Sequence, residues 1–209
     1  MSWRVAIVAF CGLLIAVLTV RIAQHGSDGT GTWDFTRATG FVGYILLWLS
    51  TSGGMVTGFR GVPAPFKGGR WVELHRMISI LSLAFVGAHM VGLLLDPWVS
   101  FSPVDILVPF WSPYRAFWVG LGTISFWLLI VVLVSTFLFS RLGWKRWRLL
   151  HMLSYPAFLM AFVHGVMAGT DSGSTLAVAL YATTAATVAA LSVFRLAGPA
   201  PALRLSSEA

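Results

Sequence analysis

The chain has 209 residues, 57% of them hydrophobic and only 10% charged, where a soluble domain carries about 25% charged residues. That balance excludes an ordinary soluble domain and describes a membrane protein. The net charge of +7 would suit nucleic acid, but its distribution along the chain points instead to membrane topology and anionic lipid headgroups.

Six uncharged stretches follow in chain order: Val5–Val20, Ala38–Phe59, Met77–Leu95, Ala116–Ser140, Leu149–Thr170 and Ser172–Phe194. A bilayer crossing needs about 20 apolar residues, and the last five stretches are long enough. The first is shorter, but Arg4 and Arg21 can snorkel and extend it. Read as a secretory signal cut after Ala23, it would place Arg21 at the third position before the cut, where a small residue is preferred. A retained helix is therefore expected. The fold class follows: an all-α integral membrane protein, a six-transmembrane-helix bundle with both termini cytoplasmic.

That topology sorts the charges. The inner side holds Arg4, Arg60, Lys67, Arg70, Arg76, Arg141, Lys145, Arg146, Arg148, Arg195 and Arg204, while the outer side keeps Arg21, Arg37 and Arg115 beside Asp28, Asp34, Asp96, Asp105 and Asp171. Eleven basic residues against three is the positive-inside pattern. Cys11, the single cysteine, sits in the first span, forms no internal disulfide and reads as a small apolar filler.

The connecting segments are expected at 24–37, 59–71, 96–115, 141–148 and 170–174. Neither a Gly-rich dinucleotide fingerprint nor a P-loop occurs in the chain, so flavin or nicotinamide chemistry must come from another protein. The outer segment DPWVSFSPVDILVPFWSPYR carries Trp98, Phe101, Phe110, Trp111 and Tyr114, which fit an interfacial belt with a short re-entrant or surface helix. Gly53-Gly54, Gly120/Gly122 and Ala182–Ala190 are small enough to let helices approach closely.

Of five histidines, four fall at the spans: His75 and His89 on the third, His151 and His164 on the fifth. Both spans start inside, so His75 matches His151 in depth and His89 matches His164. The separations along each helix are about 21 and 19.5 Å at 1.5 Å per residue. Fourteen residues return to within about 40° of the starting face, whereas thirteen miss it by about 140°. A kink or π-bulge near Pro156 is expected to supply the missing rotation. Buried imidazoles need partners. Two depth-matched pairs suit an iron porphyrin clamped from both sides better than zinc, which gathers three or four ligands at one point. His25, in a polar outer segment, is assigned no role.

At these residues the sequence resembles a known family. His-(13 residues)-His on one helix and His-(12 residues)-His on a later one, with FSPVDILVPFWSPYRAFWVGLG and RLGWKRWRLLHMLSYPAFLMAFVHGVMAGTDS, are similar to the ferric reductase-like transmembrane domain family. It includes the NADPH oxidases, metal reductases and the haem-binding membrane subunit of bacterial methionine sulfoxide reductase. The resemblance covers residues 38–171 as the haem-binding core. It leaves 1–37 as the first helix and outer loop, and 172–209 as the sixth helix and short cytoplasmic tail. It implies bis-histidine b-type haems, His75 and His151 holding the inner one, His89 and His164 the outer.

Haem propionates are anionic and Arg is their preferred partner. Arg70, Arg76, Arg146 and Arg148 surround the inner site, and Arg37 and Arg115 are the outer candidates; Arg76, Arg115 and Arg148 are carried forward. Tyr44, Trp48, Phe85, Phe158 and Phe162 are placed to line haem edges, although aromatics in membrane helices usually serve packing. No residue reads as a catalytic acid, base or nucleophile. The leading expectation is an electron conduit in a multi-pass bacterial plasma or inner membrane. Two haems b would be reduced by a cytosolic flavin reductase or membrane quinol, and would reduce an acceptor outside. The alternative is a non-catalytic haem-bearing anchor, haem carrier or transporter subunit.

Overall fold

The computed structural model describes residues 30–57, 68–97 and 99–197. The first predicted span, 5–20, together with Cys11, His25, Trp98, Arg60 and Lys67, lies outside them. The described residues form seven helices: α1 (Thr30–Val56), α2 (Gly69–Leu94), α3 (Pro103–Leu107), α4 (Ala116–Phe137), α5 (Phe139–His151), α6 (Ser154–Ala168) and α7 (Thr175–Ala197). No strand occurs among them. Five spans are long and apolar enough to cross a membrane, with α5 and α6 together making the fourth, Phe139–Ala168.

Helix α1 begins at Thr30, so part of the segment expected as the loop 24–37 is helical. Its polar groups are satisfied locally. Thr36 and Thr39 donate to the carbonyls of Thr32 and Phe35 at 2.9 and 2.7 Å, and Arg37 pairs with Asp34 one turn back. A helix with its charges neutralised this way runs on through the membrane boundary. Helices α1 and α2 pack against each other along their length. Ser82 donates to the Gly43 carbonyl at 2.9 Å, and a Cβ on Gly43 would lie 3.2 Å from Val86.

The short helix expected in the 96–115 segment is α3. Ser102 and Asp105 form a reciprocal capping box around Pro103, the pairing that lets so short a helix close. It folds back onto α4, where Thr123 and Trp127 donate to the carbonyls of Ile106 and Leu107 at 3.1 and 2.9 Å. Phe110 follows with φ 67°. A Cβ on Gly120 would come within 2.3 Å of its ring, so glycine is required there.

Residues 141–148, expected as a loop, are helical within α5, apart from Gly143 at φ 71°. The run of charge conceals an amphipathic pattern. Arg141, Lys145, Arg146 and Arg148 are exposed, while Leu142, Trp147 and Leu150 are half-buried. The chain then breaks at Met152–Leu153 rather than kinking within one helix at Pro156. Pro156 has no N–H for the Met152 carbonyl four residues back. Tyr155 donates to it instead, and Leu153 donates to Leu150, both at 3.1 Å. These are tight i→i+3 turns.

The core lies between α1, α6 and α7, where Tyr44, Leu47, Phe158, Ala177 and Tyr181 are buried together, with Trp48 and Phe162 packed against them. Tyr44 stacks on Phe158 at 5.9 Å and shares a 2.5 Å hydrogen bond with Thr184. Large apolar side chains such as Leu176, Phe194 and Phe137 face outward, as lipid-facing residues do.

Candidate functional site

The helix break brings both histidines of the α5–α6 span to face α2. His75 meets His151 with ring centres 6.1 Å apart and planes at 66°. His89 meets His164 at 6.4 Å and 76°. Two imidazoles bonded to opposite sides of one metal, with metal–nitrogen bonds of about 2 Å, place their ring centres about 6 Å apart. Both pairs therefore stand at the spacing of a bis-imidazole clamp. Among the described residues no three His, Cys, Asp or Glu side chains converge on one point. Each pair offers two nitrogens alone, which fits a planar group that brings its own four equatorial ligands and does not fit a bare tetrahedral ion.

A repeated local device seats three of the rings. His89 Nδ1 lies 2.8 Å from the Thr36 carbonyl, and a Cβ on Gly40, one turn on, would stand 3.0 Å from the same nitrogen. His164 Nδ1 lies 2.9 Å from the Trp118 carbonyl, with the Cβ position of Gly122 at 2.7 Å. His75 Nδ1 lies 3.4 Å from the Ser50 hydroxyl, with the Cβ position of Gly54 at 3.3 Å from its ring. In each case residue i supplies an oxygen to Nδ1, and glycine at i+4 clears the approach. For His89 and His164 the carbonyl can only accept, so Nδ1 carries the proton and Nε2 keeps the lone pair that a metal needs.

His151 is held differently. Its imidazole stacks on Trp147, one turn earlier, at 4.8 Å and 26°, and its buried Nδ1 has no hydrogen-bond partner among the described residues. Trp147 is itself tied to Thr136 at 3.3 Å and touches Trp144 and Phe139.

A cavity of about 260 Å³ opens beside His89 and His164, lined by Gly40, Gly122, Tyr44, Phe126 and Arg37 among others. Arg37 bridges α1 to the α6–α7 turn through an ion pair with Asp171 and lies 3.4 Å from Asp34. The other arginines singled out in the sequence lie elsewhere. Arg115, in the left-handed region at φ 41°, donates to the Met167 carbonyl, sits over Tyr114 and is not on the cavity wall. Arg76 pairs with Glu73, and Arg148 is exposed on α5. Gly54 and Gly122 were singled out in the sequence as close-approach positions but not as seats for histidine rings, while Gly40, the Nδ1 acceptors and Trp147 were missed. The i,i+4 spacing of Trp147 and His151 was a signal that could have found that pair.

The class of protein these features define is a multi-pass helical membrane protein with two stacked histidine clamps. The family described as ferric reductase like transmembrane component matches residues 39–162, a stretch that holds His75, His89 and His151 and ends two residues before His164, and the chain belongs to that family. No curated protein and no solved structure matches the chain.

Proposed function

We propose that the chain is a transmembrane electron conduit that holds two b-type haems, one at each histidine pair. The observation that carries this reading is the pair of ring separations, 6.1 and 6.4 Å, at two depths of one bundle. Haem bound there supplies a one-electron iron couple at each depth. The protein's part is positioning. Thr36 and Trp118 fix the tautomers of His89 and His164, the glycines admit the rings, and the Tyr44–Phe158 core keeps water from between the levels. Arg37, on the cavity wall, is the cation for a propionate at the His89–His164 level, with Asp171 holding it ready. Arg76 and Arg148 serve the other end, and Arg115 braces the α4–α6 junction.

With the basic α5 and the 59–71 segment on the cytoplasmic side of a bacterial plasma membrane, His75 and His151 form the inner level. Electrons arrive from a cytosolic flavin reductase or membrane quinol and leave to an acceptor outside. Pyridine haemochrome assay of the purified protein should return close to two haems per chain. His75→Ala and His151→Ala should remove one spectral component, and His89→Ala and His164→Ala the other. A reproducible value near one haem, or a shared loss in His75→Ala and His164→Ala, sinks the two-clamp reading.

A further inference from the structure

Thirteen helical residues leave His164 about 140° away from the face of His151, and the break at Met152–Leu153 makes up the difference. Tyr155 is the residue that closes it. Its amide donates to the Met152 carbonyl at 3.1 Å, completing the tight turn. Its hydroxyl accepts from Arg195 Nη1 at 2.9 Å, a bond that reaches across from the last turn of α7.

Backbone preference works against this turn. Tyr155 precedes Pro156, and a proline ring pushes the residue before it out of the helical region. Tyr155 is helical nonetheless, the second residue of α6, so packing and bonding must keep it there. Ser125 of α4 donates to the Ala157 carbonyl at 2.8 Å and holds α6 just beyond the turn. Arg195 holds the turn itself. Topology and the helix dipole already favour a cation in the last turn of this span. A guanidinium committed to a tyrosine hydroxyl forty residues back is more than either requires.

We propose that Arg195 is a positioning residue for His151: by holding the Tyr155 hydroxyl it fixes how α5 meets α6, and so the angle at which the His151 ring faces His75. The proposal rests on the haem reading above and goes beyond it. His164 is insulated from the effect, because its bond to the Trp118 carbonyl and the Ser125 bond register α6 against α4 without α7.

Two measurements test this, and one of them needs no haem. In the haem-free protein, hydrogen exchange at the Tyr155 amide should quicken about 2- to 10-fold in Arg195→Leu and in Tyr155→Phe, the range a single hydrogen bond supports. Exchange at the His164 amide should hold steady. In the haem-loaded protein, the low-spin electron paramagnetic resonance signal reports the angle between the two axial imidazole planes, 66° for His75 and His151. Both variants should shift the signal that His75→Ala abolishes and leave the other in place. Arg195→Lys, which can still donate to the hydroxyl, should restore both readings. An unmoved exchange rate or an unmoved signal would overturn the proposal. So would equal shifts at the two levels, or an effect of Arg195→Leu that Tyr155→Phe does not share. Each of these would leave the conduit reading intact. A protein that takes up no haem would overturn the conduit reading itself, and the exchange rates would still decide whether Arg195 holds the turn.

Discussion

Trp147 lies nearly flat against His151, with 4.8 Å between ring centres and planes at 26°. The two are four residues apart on α5, the spacing at which helical side chains meet. Among the described residues no glycine seat and no Nδ1 partner orients His151, so the indole holds the ring in place.

Trp147→Ala should therefore weaken haem retention at the His75–His151 level. An aromatic stack of this kind is worth about 0.5–1.5 kcal/mol beyond its buried area, or about a 2- to 10-fold loss in retention. Trp147→Phe should recover most of it. Haem loss to apomyoglobin, followed by absorbance, reads the difference. Equal loss from both levels would mean that Trp147 serves the fold rather than its neighbour.

The seating glycines give a sharper contrast. A Cβ on Gly122 would stand 2.7 Å from His164 Nδ1, on Gly40 3.0 Å from His89 Nδ1, and on Gly54 3.3 Å from the His75 ring. Gly122→Ala should displace His164 and abolish the haem at that level, with the other level retained. Gly54→Ala should be milder, and Gly173→Ala, with open space around it, should be silent. The haem content of the three purified variants decides. A silent Gly122→Ala would remove the seat from the account.

Asp105 offers a pH handle outside the membrane spans. The Ser102 hydroxyl and amide hold its carboxyl below the usual carboxylate range. A depressed carboxylate pKa contributes stability that is present above its unfolded value and is lost as pH falls through the folded one. The α3 cap should thus be intact at neutral pH and loosen in acid, and Asp105→Asn should loosen it at every pH. Hydrogen exchange at the Ser102 and Asp105 amides provides the measurement. Because Asp105 is not on the cavity wall, the haem spectrum should stay unchanged throughout.

Much of the bundle was legible because uncharged length is a strong signal. Five of the six expected spans coincide with described helices, and the matched depth of His75 with His151 and of His89 with His164 foretold which rings meet. The thirteen-residue mismatch between His151 and His164 foretold an irregularity, but its place was misjudged. The missing N–H belongs to Pro156, while the disturbance falls where its absent partner would have been, at Met152–Leu153. Local charge misled in two places. Asp34 and Arg37 suggested a loop where their pairing lets a helix run on, and Arg141–Arg148 suggested a loop where an amphipathic helix lies. Gly54 and Gly122 were legible as points of close helix approach, but their role as seats, and Gly40 altogether, were not, because a seat depends on which oxygen faces which ring across two helices.

The final prediction concerns how electrons arrive. Arg141, Lys145, Arg146 and Arg148 are exposed along α5, on the helix that ends at His151, and no acidic residue lies between Phe139 and His151. Such a surface suits an acidic, flavin-carrying partner, and the attraction weakens as salt screens it over a Debye length of about 8 Å at physiological ionic strength. The chain carries neither of the glycine-rich nucleotide motifs sought in it. NAD(P)H alone should therefore leave the haems of the pure protein oxidised. A cytosolic flavin reductase should reduce them, faster at low salt, and Arg146→Glu with Arg148→Glu should slow that step about 10-fold or more, since steering by charge changes association rates by about 10 to 1,000-fold. Stopped-flow absorbance at two salt concentrations, with His89→Ala isolating the His75–His151 level, measures this. Direct reduction by NAD(P)H would defeat the docking account, and reduction by quinol with no dependence on salt or on the α5 charges would move the electron input into the bilayer.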